Sequence, residues 1–428
     1  MSKDLVFVFE DEYCPRFYPI SPSRPTYNIL AGAKTNLERI KHYFSELEIL
    51  TLCRPHLSDL SMRQGRRGIE ELIGAGINKL ILINGNAVFR FSDLEFIDEL
   101  KNIDDSVAYT KDGNLVAAVL PFKKARDLAG DILSLHSKGR SKKIIEGSKR
   151  LSQVDILTFS YIWDPMLLNP ELIKSDFDEH FKDKGSQDKM GDLFVYGRSE
   201  ISVGKNLSAD AASVIDAREG PVIIGQGVRI KPFTHLEGPA FIGDGCSLVG
   251  GKITGGCSFG SGCRIGGEVE NSIFAANSNK YHEGFIGHAY IGQWVNLGAL
   301  TTNSDLKNNY SEISVTQNGV LTKTGNIKIG CFIGDHTKTG IGTTLNTGAV
   351  LGFSCNLFGA TLILEKEIPS FAWGNDSLRR EIPLEDAVET ARAVLARRNF
   401  KFDDKDRQLF EHIFNESATD RKLWIDRK

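Results

Sequence analysis

Cysteine is the side chain in this chain best suited to metal binding and nucleophilic attack, and there are seven: Cys14, Cys53, Cys246, Cys257, Cys263, Cys331 and Cys355. No pair stands at metal-ligand spacing. Five fall in a glycine-rich stretch where a small apolar side chain packs well, so reduced structural thiols are the natural reading. Other chemistry-bearing groups sit at the ends of apolar runs. Glu10-Asp11-Glu12 follows Val6-Phe-Val-Phe9, and Asn84-Gly85-Asn86 closes the run Lys79-Leu-Ile-Leu-Ile83. Thr301-Thr302-Asn303 and Asn308-Asn309 mark a polar segment far downstream. The basic stretch Ser137 to Arg150 reads as a solvated helix or loop, with phosphate steering as the alternative.

The elements that carry these groups differ between the two halves. In the first, Val6 to Phe9 is a short buried-strand pattern, and Leu37 to Phe44 and Arg67 to Ala75 read as helices. The continuous apolar run Lys79 to Ile83 suits a parallel strand covered on both faces. Strands alternating with helices predict a doubly wound α/β sheet, whose ligands bind at the carboxyl ends of the strands.

From Ile201 onward the period is six. Stepping by six gives Ile224, Ile230, Leu236, Ile242 and Leu248, then Ile253, Phe259 and Ile265. After a short insertion the run is Ile273, Asn279, Phe285, Ile291 and Leu297; after a longer one it is Ile327, Ile333, Thr339, Leu345, Leu351 and Leu357. All but Asn279 and Thr339 are large and apolar. Three such hexads close one triangular coil with three inward side chains, and the coils stack through their backbones. Glycine follows the inward residue at Gly243, Gly266, Gly292 and Gly334, which predicts a tight corner. A β-sandwich alternates at two and does not hold this period. The segment Ala299 to Asn326 breaks the stack and is predicted to loop out. Leu384 to Arg398 and Asp403 to Phe414 are amphipathic and are predicted to pack across the last coil.

The composition is that of a soluble globular protein: 41% hydrophobic and 25% charged, with a net charge of -3 that gives no reason to expect nucleic acid or an anionic membrane. The first residues are too short an apolar run, and too acidic, for a secretory signal. No stretch approaches the length that spans a bilayer. A cytoplasmic location follows as the expectation.

These residues resemble a known family. Asn277-Ser-Asn-Lys-Tyr-His282, Val295-Asn-Leu-Gly298 and Ile368-Pro-Ser-Phe-Ala-Trp-Gly374 look like the bifunctional N-acetylglucosamine-1-phosphate uridylyltransferase/glucosamine-1-phosphate acetyltransferase, and more closely like its divergent relatives among the sugar nucleotidyltransferases. The resemblance implies that His282 accepts the proton of an attacking amine, a role imidazole suits because it titrates near the working pH. It implies that Lys280, Asn296, Asn303 and Lys307 contact the sugar and phosphate, and that Ala299 backbone lies near the thioester carbonyl of acetyl-CoA. Phe285 stands where the family carries an aromatic hydroxyl.

The resemblance is looser in the first half. The family's glycine-rich phosphate loop is here Glu10-Asp11-Glu12-Tyr13-Cys14-Pro15, without a glycine. Arg16 and Arg24 fall near its nucleotide contacts, Thr26 replaces a lysine, and Asn86 replaces a metal-binding aspartate. An amide oxygen binds Mg²⁺ far more weakly than a carboxylate, although Glu10 to Glu12 offer acids nearby.

The fold expected is therefore α/β plus all-β. A nucleotidyltransferase-like, Rossmann-like domain spans 1–197, a left-handed parallel β-helix of hexapeptide repeats spans 198–375, and a helical tail spans 376–428. The function expected is acetyl-CoA-dependent N-acetylation of an amino-sugar phosphate or a nucleotide-linked amino sugar by a homotrimer. No metal site is assigned, and Mg²⁺ enters only if the first domain is active. The alternatives are a sugar-1-phosphate nucleotidyltransferase trimerised by its β-helix, and a non-enzymatic sugar-nucleotide sensor or scaffold.

Overall fold

The computed structural model describes residues 4–57, 77–182 and 193–427. The helix expected over Arg67 to Ala75 lies outside them. The chain forms two compact units, Met1–Phe17, Arg24–Ile29 and Lys34–Tyr161 on one hand, and Tyr18–Ser23, Leu30–Ala33 and Ile162–Lys428 on the other. The division thus falls at 161/162, ahead of the expected 197/198.

The first unit holds a six-stranded sheet in the order Glu48–Leu52, Leu5–Phe9, Lys79–Asn84, Asn114–Pro121, Val107–Lys111, Arg150–Gln153. The first three are mutually parallel, as the apolar runs predict. Asn114–Pro121 runs antiparallel to both neighbours, so the sheet is mixed and not purely parallel. Alternate residues feed two cores, one on each face. Val6, Val8, Ile81 and Ile83 pack with Ile40, Phe44 and Leu100, and Leu5, Phe7, Leu80 and Leu82 pack with Ala125, Ile132 and Ile144. Because the three parallel strands point the same way, Glu10, Arg54 and Asn84 gather at one edge of the sheet.

The second unit is a parallel β-helix of about ten turns, of the left-handed hexapeptide class, followed by helices. One side alone stacks nine parallel strands, from Ile201–Val203 to Glu367–Ile368. Their inward residues form one apolar core that includes Ile224, Ile242, Phe259, Ile291, Ile333 and Leu351. The expected inward register fails in one stretch. Phe274, Lys280 and Ile286 are buried and point inward, one position after the expected Ile273, Asn279 and Phe285. Ile327 is 50% exposed and lies outside the coil.

The glycines after the inward residues have a different cause from the one expected. None of Gly243, Gly266, Gly292 and Gly334 has positive φ. A Cβ at each would instead meet the backbone of the next coil, at 2.7 Å from Phe259 O for Gly243 and 2.6 Å from Tyr281 O for Gly266. Close stacking of coils demands them.

The insertion is shorter than expected at its start. Thr302–Asn303 pairs with Thr344–Leu345 and completes a coil side. The excursion runs from Asp305, carries an antiparallel hairpin of Ser314–Gln317 and Val320–Lys323, and returns at Ile329, whose N–H donates to Asp305 O at 2.9 Å. At the far end, helices Leu384–Ala396 and Asp404–Glu416 pack sideways on Phe353 and Phe371 of the coils. A third helix, Ala418–Asp426, brings Trp424 into the β-helix core beside Ile363 and Ile368. That indole closes the stack.

Candidate active site

The strand Asn279–Lys280 ends in the corner Tyr281 to Gly284, and Phe285–Gly287 opens the next side. Gly284 has φ 131 and a Cβ there would lie 2.2 Å from Thr301 O, so this corner is pressed against the coil above. His282 is exposed, and among the described residues its ring nitrogens make no hydrogen bond. Its carbonyl is anchored from inside the coil by Lys280, whose Nζ donates to Gly266 O at 2.7 Å and to His282 O at 3.1 Å. Burial pushes the Lys280 ammonium down to about 8 against the upward pull of Glu283 and Glu268. Lys280 is only 2% exposed, so it braces the corner and does not face a ligand, which corrects its expected role.

The next coil stacks its own corner directly on this one. Leu300 N–H donates to Glu283 O at 2.7 Å, and Gly342 N–H of the following coil donates to Ala299 O at 2.8 Å. Gly298, Leu300 and Thr301 all donate their N–H groups, whereas the Ala299 N–H has no partner among the described residues. Asn296 is exposed on the side leading into this corner, and its Oδ1 accepts from Asn279 Nδ2 at 3.3 Å. Arg398 Nη2 in turn donates to Asn279 Oδ1 at 2.8 Å. His282, Asn296 and Ala299 therefore share one corner region of adjacent coils.

Two expected contacts are elsewhere. Asn303 is 1% exposed, accepts from Gly287 N at 3.0 Å and donates to Gly287 O at 3.0 Å, so its amide mimics a missing backbone rung. That fixes it as a coil residue and not a sugar contact. Lys307 lies in the excursion, where its Nζ donates to Glu312 O at 2.6 Å.

The sequence reading left one pair out of the site. His288 Nδ1 is 2.7 Å from Asp305 Oδ2, both nearly buried. Burial alone would raise Asp305, but the His288 hydrogen bond and charge outweigh it and hold the carboxyl below its ordinary value. The separation of 17 residues, the same as for Ser278 and Val295, is the signal that marks neighbours on successive coils.

In the first unit, the strand ends bring Asp11, Asn84 and Asn86 together. Asn84 Nδ2 donates to Asp11 Oδ2 at 2.8 Å, Tyr13 N to Asp11 Oδ1 at 2.9 Å, and Asn86 Nδ2 approaches the same oxygen at 3.5 Å. Burial raises the Asp11 pKa. Both carboxylate oxygens face N–H donors, which would repel a cation, so this donor set does not suit Mg²⁺. Arg16 stacks on Tyr13 at 4.1 Å, and the Arg24 carbonyl accepts from Arg54.

The fold is that of a mixed α/β unit and a parallel β-helix. Residues 6–184 match the family model described as Sugar nucleotidyl transferase. The chain is 32% identical over 167 residues to the Bifunctional protein GlmU of Azoarcus sp. (strain BH72), a match covering 38% of this chain and 32% of that protein. It is 30% identical over 182 residues to the Uncharacterized acetyltransferase YaiX of Escherichia coli O6:K15:H31 (strain 536 / UPEC), covering 42% of this chain and 77% of that protein. A Bifunctional sugar-1-phosphate nucleotidylyltransferase/acetyltransferase of Sulfurisphaera tokodaii is 30% identical over 96 residues, 22% of this chain and 24% of the relative. The match thus spans about a third of the GlmU relative's length. The chain belongs to the family of the acetyltransferase YaiX, most of whose length it matches, and its residues 6–184 are similar to sugar nucleotidyl transferases.

Proposed function

We propose that the protein is an N-acetyltransferase acting on an amino-sugar phosphate or nucleotide-linked amino sugar, with acetyl-CoA as donor. The observation that carries this reading is the braced corner: an exposed imidazole at His282 beside an unpartnered backbone N–H at Ala299. Those are the two groups that amide formation from a thioester needs, a base for the amine proton and a donor for the developing oxyanion. Relatives named as acetyltransferases agree with it.

Acetyl-CoA supplies the acetyl group as a thioester. His282 takes the proton from the amine nitrogen as that nitrogen attacks the thioester carbonyl, and the Ala299 N–H faces the oxygen that gains charge; the tetrahedral intermediate then collapses, the C–S bond breaks, and coenzyme A leaves as the thiol with the proton returned by His282. Lys280 keeps the corner from shifting, and Asn296 orients the sugar from the adjoining side. Mg²⁺-dependent nucleotidyl transfer by the first unit forms no part of this proposal.

The enzyme works as a cytoplasmic homotrimer. Tyr281, Leu300 and Ile341 occupy the same corner of successive coils and are 49%, 56% and 71% exposed. An apolar edge of this kind, running past His282, suits burial against a second copy. Among the described residues no helix is long and apolar enough to cross a membrane. The deciding experiment incubates the protein with a panel of amino-sugar phosphates and acetyl-CoA and measures free thiol. Release with one amino sugar, and none with its N-acetylated form, is the expected result; no release with any member would overturn the proposal.

A further inference from the structure

The acidic run after the first strand is an unusual thing to find at the carboxyl end of a parallel sheet, where phosphate-bearing ligands commonly dock. Its carboxylates do not point to solvent. Glu10 is 1% exposed. Its Oε1 accepts from Thr26 N at 2.9 Å and Arg54 Nη2 at 3.1 Å; its Oε2 accepts from Arg54 N at 3.1 Å and Arg54 Nε at 3.2 Å. Arg54 is fixed in turn by Nη2 donating to Arg24 O at 3.3 Å. Glu12 accepts the backbone N–H of Gly139, the residue preceding helix Arg140–Gly147. Asp11 accepts from Tyr13 N and Asn84 Nδ2. Three consecutive acids thus each face donors of their own unit.

Two backbone N–H groups and a guanidinium presented edge-on form the donor set by which proteins hold a phosphoryl group. An ion pair alone would need only the guanidinium. We infer that Thr26 N–H, Arg54 N–H and the Arg54 guanidinium form an oxyanion cradle whose resident anion is the Glu10 carboxylate, so that a phosphoryl group enters only when Glu10 is removed. The cradle is complete and permanently filled by the chain itself. A phosphate competing for it would have to displace a buried carboxylate already satisfied by four hydrogen bonds, and the displaced charge would lie beside the carboxylates of Asp11 and Glu12.

The test uses the full chain, with inorganic pyrophosphate as probe, by isothermal titration calorimetry at constant ionic strength. Glu10→Ala is expected to bind pyrophosphate at least about tenfold more tightly than the wild type. Adding Arg54→Met to Glu10→Ala is expected to abolish the gain. Formate or phosphate, but not chloride, should raise the melting temperature of Glu10→Ala and leave the wild type unmoved. If Glu10→Ala does not fold in chloride, recovery of the wild-type circular dichroism spectrum in phosphate supports the cradle. Failure to recover it counts against. Equal pyrophosphate affinity of wild type and variant, or a folded Glu10→Ala that binds no oxyanion, overturns the inference.

Discussion

His288 and Asp305 stand 17 residues apart and meet at 2.7 Å across two coils, where the excursion leaves the β-helix. His288 holds φ at 49, in the left-handed region that histidine adopts more readily than most side chains. Lys328, at the returning end of the excursion, pairs with Glu270 at 3.0 Å and adds its charge to the field on Asp305. Both ends of the excursion are therefore tied electrostatically to two successive coils, Asp305 to His288 and Lys328 to Glu270.

A pH dependence follows. Because the Asp305 carboxyl is held below its ordinary value, its stabilising contribution is present above the unfolded carboxylate pKa of about 4 and is lost as pH falls through the folded value. The advantage of wild type over Asp305→Asn in urea denaturation should be full at pH 7 and shrink on acidification below about 4. An advantage that stays constant down to pH 3 would reduce the pair to packing.

Replacing His282 by Ala should lower turnover by about 10²–10⁴-fold. Its side chain lies outside the core, so stability should change by no more than about 1 kcal/mol. The affinity for acetyl-CoA should hold, since the imidazole acts on the amine. Wild-type turnover in a folded His282→Ala protein would pass the role of base to another group, with His288 the first to examine.

Lys280 gives a second test, with the same sign of pH dependence in an alkaline window. A lysine whose folded pKa is about 8 binds its proton less tightly than in the unfolded chain. Its penalty is complete below that value and disappears as pH rises toward the ordinary lysine pKa of about 10.4. The stability of wild type relative to Lys280→Met should therefore increase between pH 8 and pH 10. A flat difference would show that the ammonium is better solvated than its two carbonyl contacts imply.

Light scattering at micromolar concentration should give three times the chain mass. Leu300→Asp together with Ile341→Asp should shift it toward one, because a charge on the apolar edge opposes its burial. A wild-type monomer would remove the trimer.

Pyrophosphate release from a common nucleoside triphosphate, a sugar-1-phosphate and Mg²⁺ should stay at background. Robust release would mean that Asp11 binds metal despite its amide neighbours.

The six-residue period made the β-helix legible because inward positions recur with the coil, whatever happens outside it. The register slipped where the pattern lost its signal: Lys280 is inward and charged, while Ile273 and Phe285, apolar and one position away, set the wrong phase. Asn303 misled for a related reason, since an amide that bonds backbone across coils looks in sequence like any loop asparagine. His282 and Asn296 are singled out by the motifs around them, and the fold sets both in one corner region. That the Ala299 N–H lacks a partner could not be read, because it depends on which coil lies above, whereas the His288–Asp305 pair leaves only its 17-residue spacing as a trace. In the first half, Glu10 to Glu12 read as acids available near a metal position, and only the fold shows them occupying donors.

The cysteines, set aside at first as inert, decide how the enzyme can be assayed. Burial pushes the thiols of Cys14, Cys257, Cys331 and Cys355 up to about 12, and Cys246 is raised as well. Thiolate is the form that attacks a disulfide reagent, so these five are silent toward such reagents near neutral pH. Coenzyme A released in turnover can then be followed continuously once the half-buried Cys53 has been replaced. The same silence makes the thiols a reporter of opening: Cys257, Cys331 and Cys355 belong to the β-helix core, and their labelling rate measures how often the coils part.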